Sequence, residues 1–166
     1  MPDLPDAVLL VVGDGPERAA LARLVQHLQL ADRVIFTGMV SPEDVPHYYA
    51  LADAFVSASA SEAQGLTYLE ALAAGLPLLC RDDPCLKNLV QQGQNGYVWQ
   101  NPAQLVRLSH TLLYRDDPDV MRKNAADSAR PYSAAAFAAA AEQLYRREIL
   151  RKAQQCRILQ REVVLW

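Results

Sequence analysis

Residues 61–77 read Ser61-Glu62-Ala63-Gln64-Gly65-Leu66-Thr67-Tyr68-Leu69-Glu70-Ala71-Leu72-Ala73-Ala74-Gly75-Leu76-Pro77. Glu62 falls in the loop after a predicted strand, and Glu70 lies one turn past the predicted helix start at Leu66. The first N–H groups of a helix have no intrahelical acceptor and carry the positive end of its dipole, so they bind anions. Carboxylates accept charge-assisted hydrogen bonds from diols. The segment therefore predicts a site for a phosphate and for sugar hydroxyls.

Short apolar runs alternate with amphipathic stretches on both sides of this segment. We predict strands at 7–12, 33–37, 54–58, 76–80 and 96–99, and helices at 17–28, 41–51, 66–74, 102–114 and 118–129, with 84–92 extending the alternation. Ser41 is the predicted N-cap of the second helix, followed by a first-turn proline. This order predicts an α/β fold with one open, mostly parallel sheet and helices on both faces. Ligands of such sheets bind at the carboxyl ends of the strands.

The two acids also carry a resemblance to a known family. Glu62, seven intervening residues and Glu70, followed by 71–77, resemble the Glu-x7-Glu signature of retaining GT-B glycosyltransferases of family 4. Four more segments are similar to the donor-domain landmarks of that family, in the same order, at 9–16, 34–38, 48–56 and 93–97. Residues 64–68 resemble the variant found in bacterial glycolipid synthases that glucosylate diacylglycerol. The resemblance covers roughly residues 5–130 and implies a Rossmann-like domain that is one half of a GT-B fold.

The resemblance implies a transferase that moves a hexose from a nucleotide-diphosphate sugar, with a UDP-sugar favoured, and that needs no cofactor. Glu62 would be the catalytic residue that hydrogen-bonds the donor hexose, and Glu70 would bind the ribose. The remaining donor-binding residues would be Gln64, Gly65, Leu66 and Thr67 at the diphosphate, and Gly38 and Met39 at the nucleobase. Simpler interpretations stay open for these positions: a surface acid at Glu70, a loop or capping acid at Glu62, and plain turns at 38–40 and 65.

By the same resemblance, residues 1–132 form a donor-binding domain that lacks its first strand and helix. Residues 133–166 form a C-terminal helix that docks on an absent N-terminal acceptor domain. The arginines and lysine at 146, 147, 151, 152, 157 and 161 also allow an alternative in which this helix lies on an anionic membrane surface, which fits a lipid acceptor. Residues 163–166 are expected to fray. Because the acceptor half and a basic pair for the diphosphate are missing, we expect the isolated chain to bind donor weakly and to be inactive.

Composition excludes several other classes of protein. The net charge of -3 gives no electrostatic case for nucleic-acid binding. Three cysteines without Cys-x-x-Cys spacing predict reduced thiols and not a disulfide framework or zinc site. The chain has no signal-peptide pattern and no apolar run near the ~20 residues that span a bilayer, which predicts a cytoplasmic protein. A lipid acceptor would bring it to the inner face of the membrane.

Two short motifs are similar to a dinucleotide site and to a metal site. Residues 13–18 begin like a dinucleotide fingerprint, but Arg18 occupies the third glycine position, which disfavours NAD binding. Asp117-Pro118-Asp119 is interpreted as a helix start and not as a metal site, so no metal is predicted.

Two other functions compete with glycosyl transfer. One rival function is a GT-B nucleotide-sugar epimerase. The other is a noncatalytic module that binds nucleotide sugar or a partner subunit.

Overall fold

The computed structural model of the protein describes residues 4–59 and 65–162, with side chains as far as residue 155. The elements along these residues are β1 (Leu9–Val12), α1 (Arg18–His27), β2 (Val34–Gly38), α2 (Val45–Leu51), β3 (Phe55–Ser57), α3 (Leu66–Ala73), β4 (Leu78–Arg81), β5 (Gly96–Trp99), α4 (Pro102–Tyr114), α5 (Pro118–Ala129) and α6 (Ala134–Glu162). The chain divides into two compact units after Ser128. Across the described ranges, no helix combines the length and the apolarity needed to cross a bilayer.

The strands form two parallel sheets. β1 pairs with β2, with Leu9 opposite Val34, and β4 lies between β3 and β5. The α/β class with parallel strands is confirmed. The prediction of one continuous sheet is wrong for the residues that the structure describes, because β1 hydrogen-bonds only to β2 and β3 only to β4. One edge of β1 and one edge of β3 therefore remain without a partner strand in these ranges.

The core of the first unit lies around β4 and α3. Leu78 and Cys80 of β4 have no exposed surface, and neither do Ala71 and Leu72 of α3. A central parallel strand is covered on both faces, so its side chains are apolar without alternation. The β1–β2 sheet is covered much less, and α1 has no buried residue. The exposed large apolar side chains on and next to β1, α1 and β2 are Val8, Leu9, Val12, Leu21, Leu24, Leu28 and Ile35.

Helix ends follow the local capping chemistry. Gly75 adopts a φ of 77°, and its N–H donates to the Leu72 carbonyl at 2.9 Å, which ends α3 as predicted. The Asn101 side chain accepts from the Gln104 N–H at 3.0 Å and caps α4. Asp117 accepts from the N–H groups of Asp119 and Val120, so its motif is the helix start that the sequence predicts.

Two predicted elements need correction. The predicted N-cap at Ser41 is wrong, because the Ser41 hydroxyl donates to the Asp44 carboxylate at 2.8 Å and the chain turns there before α2 begins at Val45. Residues 84–92 contain only a 3-10 turn at Pro84–Leu86. The Asn95 side chain accepts from the Gln91 N–H at 2.7 Å and closes a turn between these residues.

Candidate functional site

The candidate site lies where β3 leads into α3. β3 ends at Ser57, and α3 begins at Leu66. Glu62 and Gln64 lie outside the described residues, so their predicted roles stay predictions. The structure places Gly65, Leu66, Thr67 and Glu70 on the first turns of α3, at the carboxyl end of a parallel strand.

Gly65 holds a conformation that few other residues adopt. Its φ of 58° and ψ of 42° are left-handed, and it is the N-cap of α3. A Cβ atom built on Gly65 would lie 2.6 Å from Cδ2 of Tyr68. The structure shows a left-handed residue that packs against the Tyr68 ring. The role of Gly65 at the diphosphate stays a prediction.

The start of α3 carries backbone N–H groups that no described residue accepts from. Gly65 offers no side chain to cap the helix, and both Leu66 and Thr67 are exposed. Within residues 4–59 and 65–162, the N–H groups of Leu66 and Thr67 have no acceptor. Unpaired N–H groups at a helix start, together with the helix dipole, attract an anion. This end of α3 has the chemistry expected of a phosphate site.

Tyr68 fastens the start of α3 to the core. Its side chain is only 1% exposed, and its ring lies edge-on to Phe55 with centroids 5.9 Å apart. Its hydroxyl lies 3.2 Å from the Ser57 hydroxyl at the end of β3. These contacts from strand to helix fix the direction in which the N–H groups of α3 point.

Glu70 is exposed, and its carboxylate is held by a residue that sequence reasoning did not single out. The Tyr49 hydroxyl donates to Oε2 of Glu70 at 3.1 Å and lies 3.5 Å from the Thr67 carbonyl oxygen. Burial, then the hydrogen bond that Tyr49 donates to Glu70 and the negative charge of Glu70, raises the pKa of Tyr49 to about 12. Tyr49 lies inside a landmark segment of the sequence analysis, but only the fold places it against Glu70, twenty-one residues away.

Gly38 and Met39 lie at the carboxyl end of β2. Gly38 has a φ of 73°, and a Cβ on it would lie 3.1 Å from Nη1 of Arg18. Arg18 donates to the Asp14 carboxylate at 3.1 Å, and Asp14 also accepts from the Gly15 N–H, so this acid shapes the turn after β1. Met39 is 80% exposed. In the described ranges, no hydrogen bond or ion pair joins Gly38 or Met39 to α3.

Metal-binding chemistry is not present in the described part of the chain. Residues 4–59 and 65–162 contain no group of three or more His, Cys, Asp and Glu side chains placed to hold an ion. Neither Cys80 nor Cys85 forms a disulfide with a described residue. The expectation that the protein needs no metal or cofactor stays a prediction.

Known proteins share this fold and parts of this sequence. The chain is 35% identical over 144 residues to the alpha-monoglucosyldiacylglycerol synthase of Acholeplasma laidlawii, across 85% of this chain and 36% of that protein. It is 45% identical over 97 residues to the synthase of the same name from Streptococcus pneumoniae, across 58% of this chain and 22% of that protein. The chain thus spans about a third or less of these two relatives.

Solved glycosyltransferases of the GT-B type share the fold. A pneumococcal O-GlcNAc transferase, solved in complex with UDP and GlcNAc, superposes with a TM-score of 0.71 at 24% identity. The alignment covers 78% of this chain and 27% of that one. Residues 1–130 match the family described as glycosyl transferases group 1. Since the match takes in the strand and helix that build the candidate site, the chain belongs to the glycosyl transferases group 1 family.

Proposed function

We propose that this chain is the donor-binding portion of a retaining glycosyltransferase of family 4. The enzyme transfers a hexose from a nucleotide-diphosphate sugar to an acceptor. The observation that carries the proposal is the start of α3, where the N–H groups of Leu66 and Thr67, which have no acceptor among the described residues, lie on the same helix as the Glu70 carboxylate. One helix then offers donors for a diphosphate and an acceptor for hydroxyl groups.

The N–H groups at the start of α3 would act mainly on the leaving group. When the anomeric bond breaks, negative charge grows on the departing nucleoside diphosphate. Donors already aimed at that charge lower the barrier more than they stabilise the bound substrate. Tyr68 keeps these donors in place through its contacts with Phe55 and Ser57. Losing one such donor costs a rate factor of about 10² or more.

Glu70 would bind the ribose hydroxyls, and Glu62 would hydrogen-bond the hexose. Glu70 suits its role because it is exposed, and among the described residues only Oε2 is engaged. Two vicinal hydroxyls would add charge-assisted hydrogen bonds to this carboxylate. Gln64 would contact the donor, while backbone groups of Gly38 and Met39 would contact the nucleobase.

The donor and acceptor are proposed from relatives. The pneumococcal transferase was solved with UDP, which supports a UDP-sugar as the donor here. Both bacterial synthases are named for a glucosylated diacylglycerol, which supports a lipid acceptor and a glycolipid product. A lipid acceptor would place the protein at the inner face of the cytoplasmic membrane.

The whole enzyme would contain an acceptor domain and a further strand and helix of the donor domain. The edges of β1 and β3 that have no partner strand among the described residues, and the exposed apolar side chains around β1, support an additional strand. The match covers only 36% of the Acholeplasma laidlawii relative and 22% of the Streptococcus pneumoniae relative, which supports a second domain. α6 exposes Phe137, Tyr145 and Ile149, and an apolar surface of this kind supports docking on that domain.

Calorimetric titration of UDP, GDP and ADP into the 166-residue chain tests the proposal. At least one nucleotide should bind, and Glu70→Ala should weaken it about 10- to 100-fold, as expected for lost hydrogen bonds to a charged group. Glu43→Ala, at another exposed acid, is the matched control and should leave affinity unchanged. Normal affinity of Glu70→Ala for every nucleotide would remove Glu70 from the ribose role.

A further inference from the structure

Tyr49 joins two helices at the candidate site. Its hydroxyl, on α2, donates to Oε2 of Glu70, on α3, at 3.1 Å. The same hydroxyl lies 3.5 Å from the carbonyl oxygen of Thr67, one turn earlier on α3. Among the described residues, Tyr49 is the sole partner of the Glu70 carboxylate, and Oε1 accepts no hydrogen bond.

The position of the Tyr49 hydroxyl is set by aromatic packing. The ring of Tyr49 lies 6.2 Å from that of Phe55, which lies 5.9 Å from that of Tyr68. Tyr68 is buried in the core, so a continuous row of three rings runs from the core to the half-buried Tyr49. Tilted and edge-on pairs of this kind hold their rings in defined geometries.

An exposed glutamate on a helix normally samples several rotamers, and ordering it on binding weakens affinity. A hydrogen bond to one oxygen restricts that sampling before any ligand arrives. We infer that Tyr49 is a positioning residue: it holds Oε2 of Glu70 so that Oε1 is directed to the ribose hydroxyls of a nucleoside diphosphate. This inference rests on the proposed function, which assigns the ribose to Glu70.

The protonation states agree with this arrangement. The pKa of Tyr49, raised to about 12, keeps the phenol protonated and therefore a donor throughout the physiological range. An ionised carboxylate only accepts hydrogen bonds. The Tyr49 hydroxyl thus donates to one oxygen of the Glu70 carboxylate and leaves the negative charge that would bind the diol.

Tyr49→Phe removes the hydroxyl and keeps the ring. Titrations would use the 166-residue chain with UDP and with 2′,3′-dideoxy-UDP, which lacks the ribose diol. Tyr49→Phe should lower the affinity for UDP by about 3- to 10-fold, because the Glu70 side chain must then be ordered when UDP binds. It should leave the affinity for the dideoxy analogue unchanged. Tyr48→Phe, at the adjacent tyrosine, is the matched control and should change neither affinity, and melting curves would confirm that all variants are folded.

A double-variant cycle with Glu70→Ala, which removes the acceptor of the Tyr49 hydrogen bond, separates this inference from the proposed function. If Tyr49 acts through Glu70, Tyr49→Phe should not lower the affinity for UDP further in a chain that already carries Glu70→Ala. Additive losses, equal losses for both ligands, or normal UDP affinity in Tyr49→Phe would overturn the positioning role while Glu70→Ala still lowers the affinity for UDP. Absence of nucleotide binding, or normal affinity in Glu70→Ala, would instead overturn the proposed function itself.

Discussion

The Tyr68 ring lies so close to Gly65 that a Cβ on residue 65 would stand 2.6 Å from Cδ2 of Tyr68. Gly65→Ala must therefore displace a core ring and also place alanine at a φ of 58°. We expect a loss of about 1–3 kcal/mol in the free energy of unfolding, the usual cost of overpacking or of local backbone strain. Urea denaturation would measure it.

Gly15→Ala is the matched control for this change. A Cβ on Gly15 would meet no atom within 4 Å, so its effect should be small. Equal stability of the Gly65→Ala and Gly15→Ala chains would contradict the close approach between Gly65 and Tyr68.

Asn95 provides a second test of the fold. It is 1% exposed, donates to the Leu89 carbonyl at 2.9 Å and to the Ser128 hydroxyl at 3.0 Å, and accepts from the Gln91 N–H. Asn95→Ala would leave buried groups without partners, at a cost of about 1–3 kcal/mol for each. We expect the largest stability loss among asparagine-to-alanine variants in thermal melts. Asn124→Ala, which removes one exposed bond to Gln94, is the control and should cost about 1 kcal/mol or less.

The sequence predicted best those elements whose ends are encoded locally. α4 and α5 begin at Pro102 and Pro118, where each proline follows a capping side chain, and both helices have the predicted bounds. The predicted start of α2 was wrong because the Ser41 hydroxyl donates to the Asp44 carboxylate within a turn. Capping rules do not distinguish this hydrogen bond from a helix N-cap. The division into two sheets depends on which strands find partners, and no local pattern encodes that.

Part of the candidate site was predictable because it is encoded by neighbouring residues. Gly65, Leu66 and Thr67 form a contiguous glycine-then-helix signal, so their shared position at the start of α3 followed from the sequence. Tyr49 was missed because its contact with Glu70 depends on the packing of two helices. The position of the Tyr49 hydroxyl against Glu70 follows no helical or strand periodicity in the sequence. The roles of Glu62 and Gln64 remain predictions, since both lie outside the described residues.

Tyr49 should also make stability depend on pH in the alkaline range. Burial first, and then the hydrogen bond and charge of Glu70, raises its pKa from 10.0 to about 12. Because the folded pKa is the higher one, the stabilising contribution is fully present below pH 10 and is lost as pH rises toward 12. The stability difference between the wild-type chain and Tyr49→Phe should therefore shrink across this window in urea titrations. A difference that stays constant would contradict the raised pKa of Tyr49.

Cys80 should be an unreactive thiol. It has no exposed surface, and burial, followed by the nearby Cys85, raises its pKa to about 12. Since the thiolate is the nucleophile, a variant that keeps only Cys80 (Cys85→Ser with Cys156→Ser) should react with a disulfide reagent at neutral pH only after denaturation. Labelling of the native variant at the rate of the denatured one would show that β4 is not a buried central strand.

A crystal structure of this chain with UDP tests the central claim most directly. We predict the diphosphate against the N–H groups of Leu66 and Thr67, with a ribose hydroxyl hydrogen-bonded to the Glu70 carboxylate. A nucleotide bound elsewhere, or one that leaves both the start of α3 and Glu70 in contact with solvent, would contradict the account.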